Sequence, residues 1–376
     1  MVYMDNQTKA AYFNQQGCEL YTAQQTQEAL LYFQEALELN PSLWEANCNL
    51  GHCWARLDDF VQASFYYHRV LQSMPQHAVV HLNLGLIYFQ KTQYSLAISH
   101  LLQSLKADPK QPLVSLKLAE AYHNYAVELL KARQHIDALH NFEKSLQHEP
   151  NNDTARHMVH ALTGVTPETA PLFYVQNLFD GYAQHYTEHV TQSLCYQVPT
   201  ILREMFDNLG LSALSYRVLD LGCGTGLALQ AFKDLSSFAI GVDVSANMLL
   251  EAKATGLYDK LWHQDILSGL EQAQQLLTPW SLILAADVFP YFGDLKDVFK
   301  NTAKALQAGG YFIFTIEQGR DLSFNLEKSG RFTHPALYVS TLLQEHGFII
   351  KQDRDLILRN QDHQAVLGQV FIAKKL

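Results

Sequence analysis

The segment VLDLGCGTG, residues 218–226, holds the residues best placed by type and spacing to grip a cofactor. Its apolar start predicts a buried strand. Gly222, Gly224 and Gly226 predict a tight turn whose backbone can approach a ligand closely. Asp243 ends the next apolar segment, 17 residues after Gly226, where a carboxylate can accept both hydroxyls of a ribose. Strand, glycine turn, helix and acidic residue in this order point to an adenosine-type cofactor. Dinucleotide binding prefers G-x-G-x-x-G, with a pyrophosphate at the helix N-terminus. Here G-C-G-T-G is followed by Leu227 and Ala228, so two cofactor classes stay open on these residues alone.

The elements that must position this motif follow from the change of period after residue 215. Short apolar runs alternate there with helical segments: YRVLDLG, FAIGVDV, KLWHQD, SLILAAD and GYFIFTIE. That alternation predicts an α/β doubly wound parallel sheet. Two further strands, FIIKQDRDLIL and VLGQVFIAKK, are joined by the short polar stretch 359–364 and predict an antiparallel hairpin at the sheet edge. Gly164, Pro167 and Pro171 mark a linker, followed by two amphipathic helices.

The first 165 residues repeat themselves. Pro41, Pro75, Pro109 and Pro150 are spaced by 34, 34 and 41 residues. Gly17, Gly51, Gly85 and Ala119 recur in phase on a first helix, and Ala29, Ala63, Ala97 and Ala138 on a second. Small residues let two antiparallel helices approach, and proline ends the second helix because it lacks a backbone N–H. Phe33, Tyr67, Leu101 and Phe142 follow the alanines by four and are expected to fill the space between neighbouring pairs. Seven extra residues in the fourth unit are about two helical turns, so both its helices can lengthen in phase. Residues 151–162 are expected to form a solvated cap helix carrying His157 and His160 at the surface rather than as metal ligands.

The repeat pattern resembles the tetratricopeptide repeat family. DLGCGTG resembles the first motif of class I S-adenosylmethionine-dependent methyltransferases. GVDVSANML, HQDI at 263–266, AADVFPY at 285–291 and LQAGGYFIFTIE resemble its further segments, in order. With LFDGYAQHYTEHV before the domain and SGRFTHPALYV after it, the whole resembles bacterial predicted methyltransferases carrying tetratricopeptide repeats. The resemblance implies a multidomain chain. Residues 1–165 form an all-α solenoid with a cap helix, 166–215 a linker with cofactor-covering helices, and 216–376 a Rossmann-like, seven-stranded methyltransferase domain. It implies S-adenosylmethionine held by Asp220, Gly222, Cys223, Gly224, Gly226, Asp243, Val244, Met248, Asp265 and Ile266. Tyr182 joins this set, and Tyr174 and Tyr186 are further candidates to close over the methionine end. Asp287, Tyr291 and His334 are the candidate catalytic residues, with His185 and His189 as further proton acceptors. Arg331 is a candidate partner for an anionic substrate.

Three functions follow as expectations: a methyltransferase whose repeats recruit a protein substrate or partner, a small-molecule methyltransferase whose repeats serve oligomerisation or localisation, or a non-catalytic cofactor-sensing scaffold. A mainly apolar pocket behind Tyr291 favours the second. The chain has 27 Lys and Arg against 37 Asp and Glu, and neither half is basic, which disfavours nucleic acid as partner. No apolar run reaches the roughly 18 residues of a membrane span, and the N-terminus lacks the apolar core of a signal peptide. Cys18, Cys48, Cys53, Cys195 and Cys223 are odd in number without a C-x-x-C pair, which predicts reduced, cytoplasmic thiols and no metal site.

Overall fold

In a computed structural model the described residues are 5–194, 196–211, 215–361 and 364–376; Cys195 lies outside them. The chain divides into two units, Met1–Ala155 and Arg156–Leu376. Among the described residues no helix is long and apolar enough to cross a membrane, and Cys18, Cys48, Cys53 and Cys223 are free thiols.

The first unit consists of four helix pairs: Asn6–Thr22 with Thr26–Leu39, Trp44–Arg56 with Phe60–Ser73, Ala78–Gln90 with Tyr94–Ala107, and Pro112–Lys131 with His135–His148. The expected glycines face a large side chain of their own pair. A Cβ on Gly17 would meet Phe33 at 2.6 Å, one on Gly51 would meet Tyr67 at 2.4 Å, and one on Gly85 would meet Leu101 at 2.8 Å. These large residues thus close their own pairs from within and, as expected, also pack toward the next pair: Phe33 clusters with Leu50 and Cys53, Tyr67 with Val80 and Leu84, and Leu101 with Val114 and Leu118. The fourth unit also differs. Its first helix has 20 residues against 13 in Ala78–Gln90, whereas its second keeps the 14 of Tyr94–Ala107. All the added length is in one helix. The four turns between paired helices each contain a non-glycine residue with positive φ: Gln24, Asp58, Thr92 and Arg133.

The second unit begins inside helix Asp153–Thr163, not at residue 166. The reason is His157, which is 1% exposed and bonds through Nε2 to the Gly330 carbonyl at 2.8 Å. Tyr174 packs on its ring at 4.6 Å. The expectation of a solvated His157 is therefore corrected. Between this helix and the sheet come three helices, Leu172–Asp180, Ala183–Glu188 and Val198–Asp207, where two were expected; the second runs on into a wide turn, His189–Ser193.

The sheet contains β1 (Tyr216–Leu221), β2 (Ser236–Asp243), β3 (Lys260–His263), β4 (Trp280–Ala285) and β5 (Leu306–Glu317). Beyond β5 a small hairpin, β6 (Asn325–Leu326) and β7 (Phe332–Thr333), was not foreseen. The long hairpin of β8 (Phe348–Gln361) and β9 (Gln364–Lys375) completes the sheet. The order is β3-β2-β1-β4-β5-β9-β8, parallel through the first five and antiparallel at β5–β9 and β9–β8. Alternation along the strands feeds two cores. Leu219, Leu221, Ile283 and Phe314 face Ile266, Leu270, Phe299 and Leu342 of three helices; Val218, Leu282, Leu284 and Ile313 face Leu202, Phe206, Leu229 and Phe232 on the other side. The chain reverses its direction of winding between β1 and β4, and open α/β sheets bind ligands in the crevice at that switch.

Candidate functional site

At the switch β1 runs into the glycine turn. Gly222, Gly224 and Gly226 have φ of 62°, 52° and 97°, where a side chain would be strained. A Cβ on Gly222 would also lie 2.5 Å from Val288, whereas the space over Gly224 is open. Asp243, at the end of β2, holds the turn in place. It accepts the Gly224 N–H at 2.8 Å on one oxygen and the Ser245 N–H at 2.8 Å on the other. Burial raises its pKa, against the pull of these two hydrogen bonds.

A cavity of about 370 Å³ opens here. Its wall passes Asp265 and Ile266 beyond β3, Asp243 and Val244 at β2, Gly222 after β1, and Asp287 and Val288 after β4. Four neighbouring strand ends at about 4.8 Å spacing span roughly 14 Å. Tyr291 and Phe292 continue the wall, and Thr169, Leu172, Val175, Phe179 and Tyr186 close it from the preceding segment. Backbone bonds fix that cover: Ala170 N–H donates to the Tyr291 carbonyl at 3.1 Å, and Gly293 N–H to the Glu168 carbonyl at 2.9 Å.

Other expected residues stand elsewhere. Asp220 is buried beneath the turn and accepts the Tyr258 hydroxyl at 2.6 Å. Burial lifts its pKa to about 7, opposed by the Tyr258 bond and reinforced by Asp243. The Cys223 sulfur rests over Gly241, where a Cβ would be 2.8 Å away, and burial raises its thiol pKa. Met248 is buried in the helix that Ser245 caps and is not in the wall. Asp265 does reach the wall, although it caps helix Ile266–Gln274 through the Ser268 N–H at 3.0 Å rather than continuing β3 as expected.

Among the candidate proton acceptors, only Asp287 and Tyr291 line the cavity. His334 is fully buried, donates from Nε2 to the Gly293 carbonyl at 2.9 Å, and is pushed by burial to a pKa of about 4. It orients the loop under the wall. Tyr182 hydrogen-bonds to His189 and stands outside the wall, as does His185. Arg331 stands 3.5 Å from Glu317.

Three contributors were missed. Arg359, expected in the polar connection, lies in β8, where its guanidinium binds both oxygens of Asp287 and also Glu317. The available signal was an arginine set directly after the apolar run Leu356-Ile357-Leu358. Asp180 accepts the Ser245 hydroxyl at 2.6 Å and ties the covering helix to the turn after β2. Gln264 lines the wall beside Asp265.

The family model described as methyltransferase domain matches residues 219–312, and two tetratricopeptide repeat models match 14–78 and 78–111. Malonyl-[acyl-carrier protein] O-methyltransferase of Bacillus cereus is 24% identical over 146 residues, 38% of this chain and 51% of that protein. Ubiquinone biosynthesis O-methyltransferase of a Bradyrhizobium species is 28% identical over 112 residues, 29% of this chain and 43% of that protein. The chain thus spans about half the length of these curated relatives. Among solved structures, magnesium protoporphyrin IX methyltransferase of Synechocystis with bound S-adenosylhomocysteine aligns at a TM-score of 0.43 and 13% identity, covering 55% of this chain and 99% of that one. Residues 14–111 of the chain thus match tetratricopeptide repeats and residues 219–312 a methyltransferase domain.

Proposed function

We propose that the chain is an S-adenosylmethionine-dependent methyltransferase acting on a small acceptor with an apolar body. The observation that carries this is one mainly apolar cavity whose lining takes in Asp243, Gly222 of the glycine turn, and Tyr291. Asp243 is the acceptor for the ribose hydroxyls. The open space over Gly224 would admit the methionine part, and Val244, Asp265 and Ile266 would hold the adenine. The cofactor, when bound, supplies an electrophilic methyl group on a sulfonium. This chain's own contribution is to align the acceptor with that methyl and to exclude water, which the cover of Leu172, Val175 and Phe179 does. The apolar lining favours a small acceptor over a protein side chain. The repeats then serve a peptide or protein partner, or assembly, rather than delivery of the substrate.

Calorimetry with S-adenosylmethionine, S-adenosylhomocysteine and NAD tests the reading. Binding of the two sulfur nucleotides and not NAD is expected, and Asp243→Ala is expected to weaken it by about tenfold or more through the lost ribose bonds. Unchanged affinity in that variant sinks the assignment of Asp243.

A further inference from the structure

The acceptor end of the cavity has a specific chemistry, whose interpretation rests on the methyltransferase reading. Three carboxylates line the cavity, Asp243, Asp265 and Asp287, and among the described lining residues there is no Lys, Arg or His. The first two serve the cofactor in that reading. Asp287 is left facing the acceptor. Its backbone is held in the left-handed region at φ 59°, with its N–H on Thr315 Oγ1 at 2.8 Å, and Arg359 restrains the side chain. Arg359 donates to both its oxygens through one nitrogen, leaving each oxygen a lone pair.

Around Asp287 stand aromatic rings. Phe179 meets Tyr291 edge-on at 5.3 Å and 78°, and Tyr186 at 6.4 Å and 67°, so the three rings form angled walls; Phe292 adds a fourth. Among the described residues no hydrogen bond engages the hydroxyl of Tyr186 or Tyr291. Ring faces, a fixed carboxylate and two phenols with spare capacity make a box for a cation or an N–H donor.

We propose that the methyl acceptor is an amine carried on an apolar body. The amine reacts in its neutral form, the ammonium first giving up its proton to water. Its nitrogen lone pair forms the N–C bond while the C–S bond breaks, and the electron pair goes to sulfur. The products are a neutral thioether and an alkylated ammonium, whose proton passes to water after release. One positive charge is present throughout, moving from sulfur to nitrogen, and the box stabilises it at every stage. An anionic acceptor would instead bring a negative charge against Asp287 and the ring faces. Arg331, the candidate for such an acceptor, is set against Glu317 and is not in the wall, although its charge reaches Tyr291.

The test is calorimetry of the full chain, free and saturated with S-adenosylhomocysteine, titrated with benzylamine, benzyltrimethylammonium, benzoate and benzyl alcohol. The two nitrogen probes are expected to bind about tenfold or more tightly than benzoate. Tyr291→Phe keeps the ring face and should retain this preference; Tyr291→Leu should lose it about tenfold. Asp287→Asn should weaken benzyltrimethylammonium by a similar factor while leaving S-adenosylhomocysteine affinity unchanged. Tighter binding of benzoate, equal binding of all four, no binding of any, or an unchanged preference in Tyr291→Leu overturns the proposal. Absence of nucleotide binding counts against the methyltransferase reading instead, and the titrations of the free chain still decide the amine preference.

Discussion

Arg359 holds the carboxylate of Asp287 at 2.9 and 3.0 Å across 72 residues of sequence, joining the edge hairpin to the loop after β4. The same guanidinium bonds Glu317 at the end of β5. Arg359 and Glu317 are almost wholly buried, and the Asp287 side chain is 17% exposed. Removing the cation leaves Asp287 without its ion-pair partner and Glu317 with Arg331 alone, in a low-dielectric site. Arg359→Met is therefore expected to cost roughly 3–5 kcal/mol of stability. The triple replacement with Asp287→Asn and Glu317→Gln should recover most of the loss. Urea unfolding measures both, and a loss in Arg359→Met no larger than that of a surface substitution would count against the buried cluster.

Two buried groups give the second unit opposite pH dependences. Asp220 is lifted from an ordinary 3.8 to about 7, mainly by burial. Between those values the folded chain keeps a proton that the unfolded chain has released, so stability falls as pH rises through the window. At one pKa unit per about 1.4 kcal/mol, the ionised group costs roughly 4 kcal/mol above pH 7. Asp220→Asn keeps an acceptor for Tyr258 and should be more stable than the parent at pH 8, with the difference shrinking toward pH 4. His334 is moved the other way, from 6.5 to about 4, by burial. There the unfolded chain takes up a proton that the folded chain refuses, and stability is lost as pH falls from 6.5 toward 4. His334→Gln should flatten that acid limb. Unfolding curves from pH 4.5 to 8 on the three chains separate the two effects, and parallel profiles for all three would refute both.

The repeat glycines are tested by adding a methyl group. Gly51→Ala would place a Cβ 2.4 Å from the Tyr67 ring, which is 1% exposed. A cost of about 1–3 kcal/mol is expected from overpacking. In the background of Tyr67→Leu the same Gly51→Ala should cost less, because the shorter side chain leaves the approach open. A double-mutant cycle by denaturant unfolding measures the coupling, and strict additivity would show that the two residues do not meet as described.

What could be read in the sequence was whatever a local period or a short motif encodes. Gly51 and Tyr67 recur at a spacing shared with Gly17 and Phe33, so the helix pairs followed from period alone. The glycine turn and Asp243 sit on consecutive strand ends, so their meeting followed from the α/β alternation. Side-chain direction was less accessible. Cys223 and Met248 lie inside motif segments, yet one points onto Gly241 and the other into the core, because the motif specifies the backbone path and not every side chain. His157 was misjudged because its partner is the Gly330 carbonyl, 173 residues away. Arg359 escaped for the same reason. Its charge pattern fits a polar turn, and only the pairing of β8 with β9, which places Arg359 opposite Val366, turns it inward to Asp287.

The turns between paired helices store strain that a single substitution releases. Gln24, Asp58, Thr92 and Arg133 have φ of 64°, 59°, 56° and 59°. An L-residue in the left-handed region loses roughly 1–2 kcal/mol relative to a right-handed conformation, and a β-branched residue suffers most. Thr92 is the β-branched member, and its hydroxyl does no more than bond the adjacent Lys91 carbonyl at 2.7 Å. Glycine adopts this conformation without penalty, although it gains freedom in the unfolded chain. The balance predicts that Thr92→Gly stabilises the first unit by about 1 kcal/mol. Asp58→Gly should do less, because aspartate tolerates the left-handed region and Asp58 carries less strain to release. Denaturant unfolding of the full chain reads both variants. A Thr92→Gly chain no more stable than its parent would mean that the turn conformation, rather than its cost, has been misjudged.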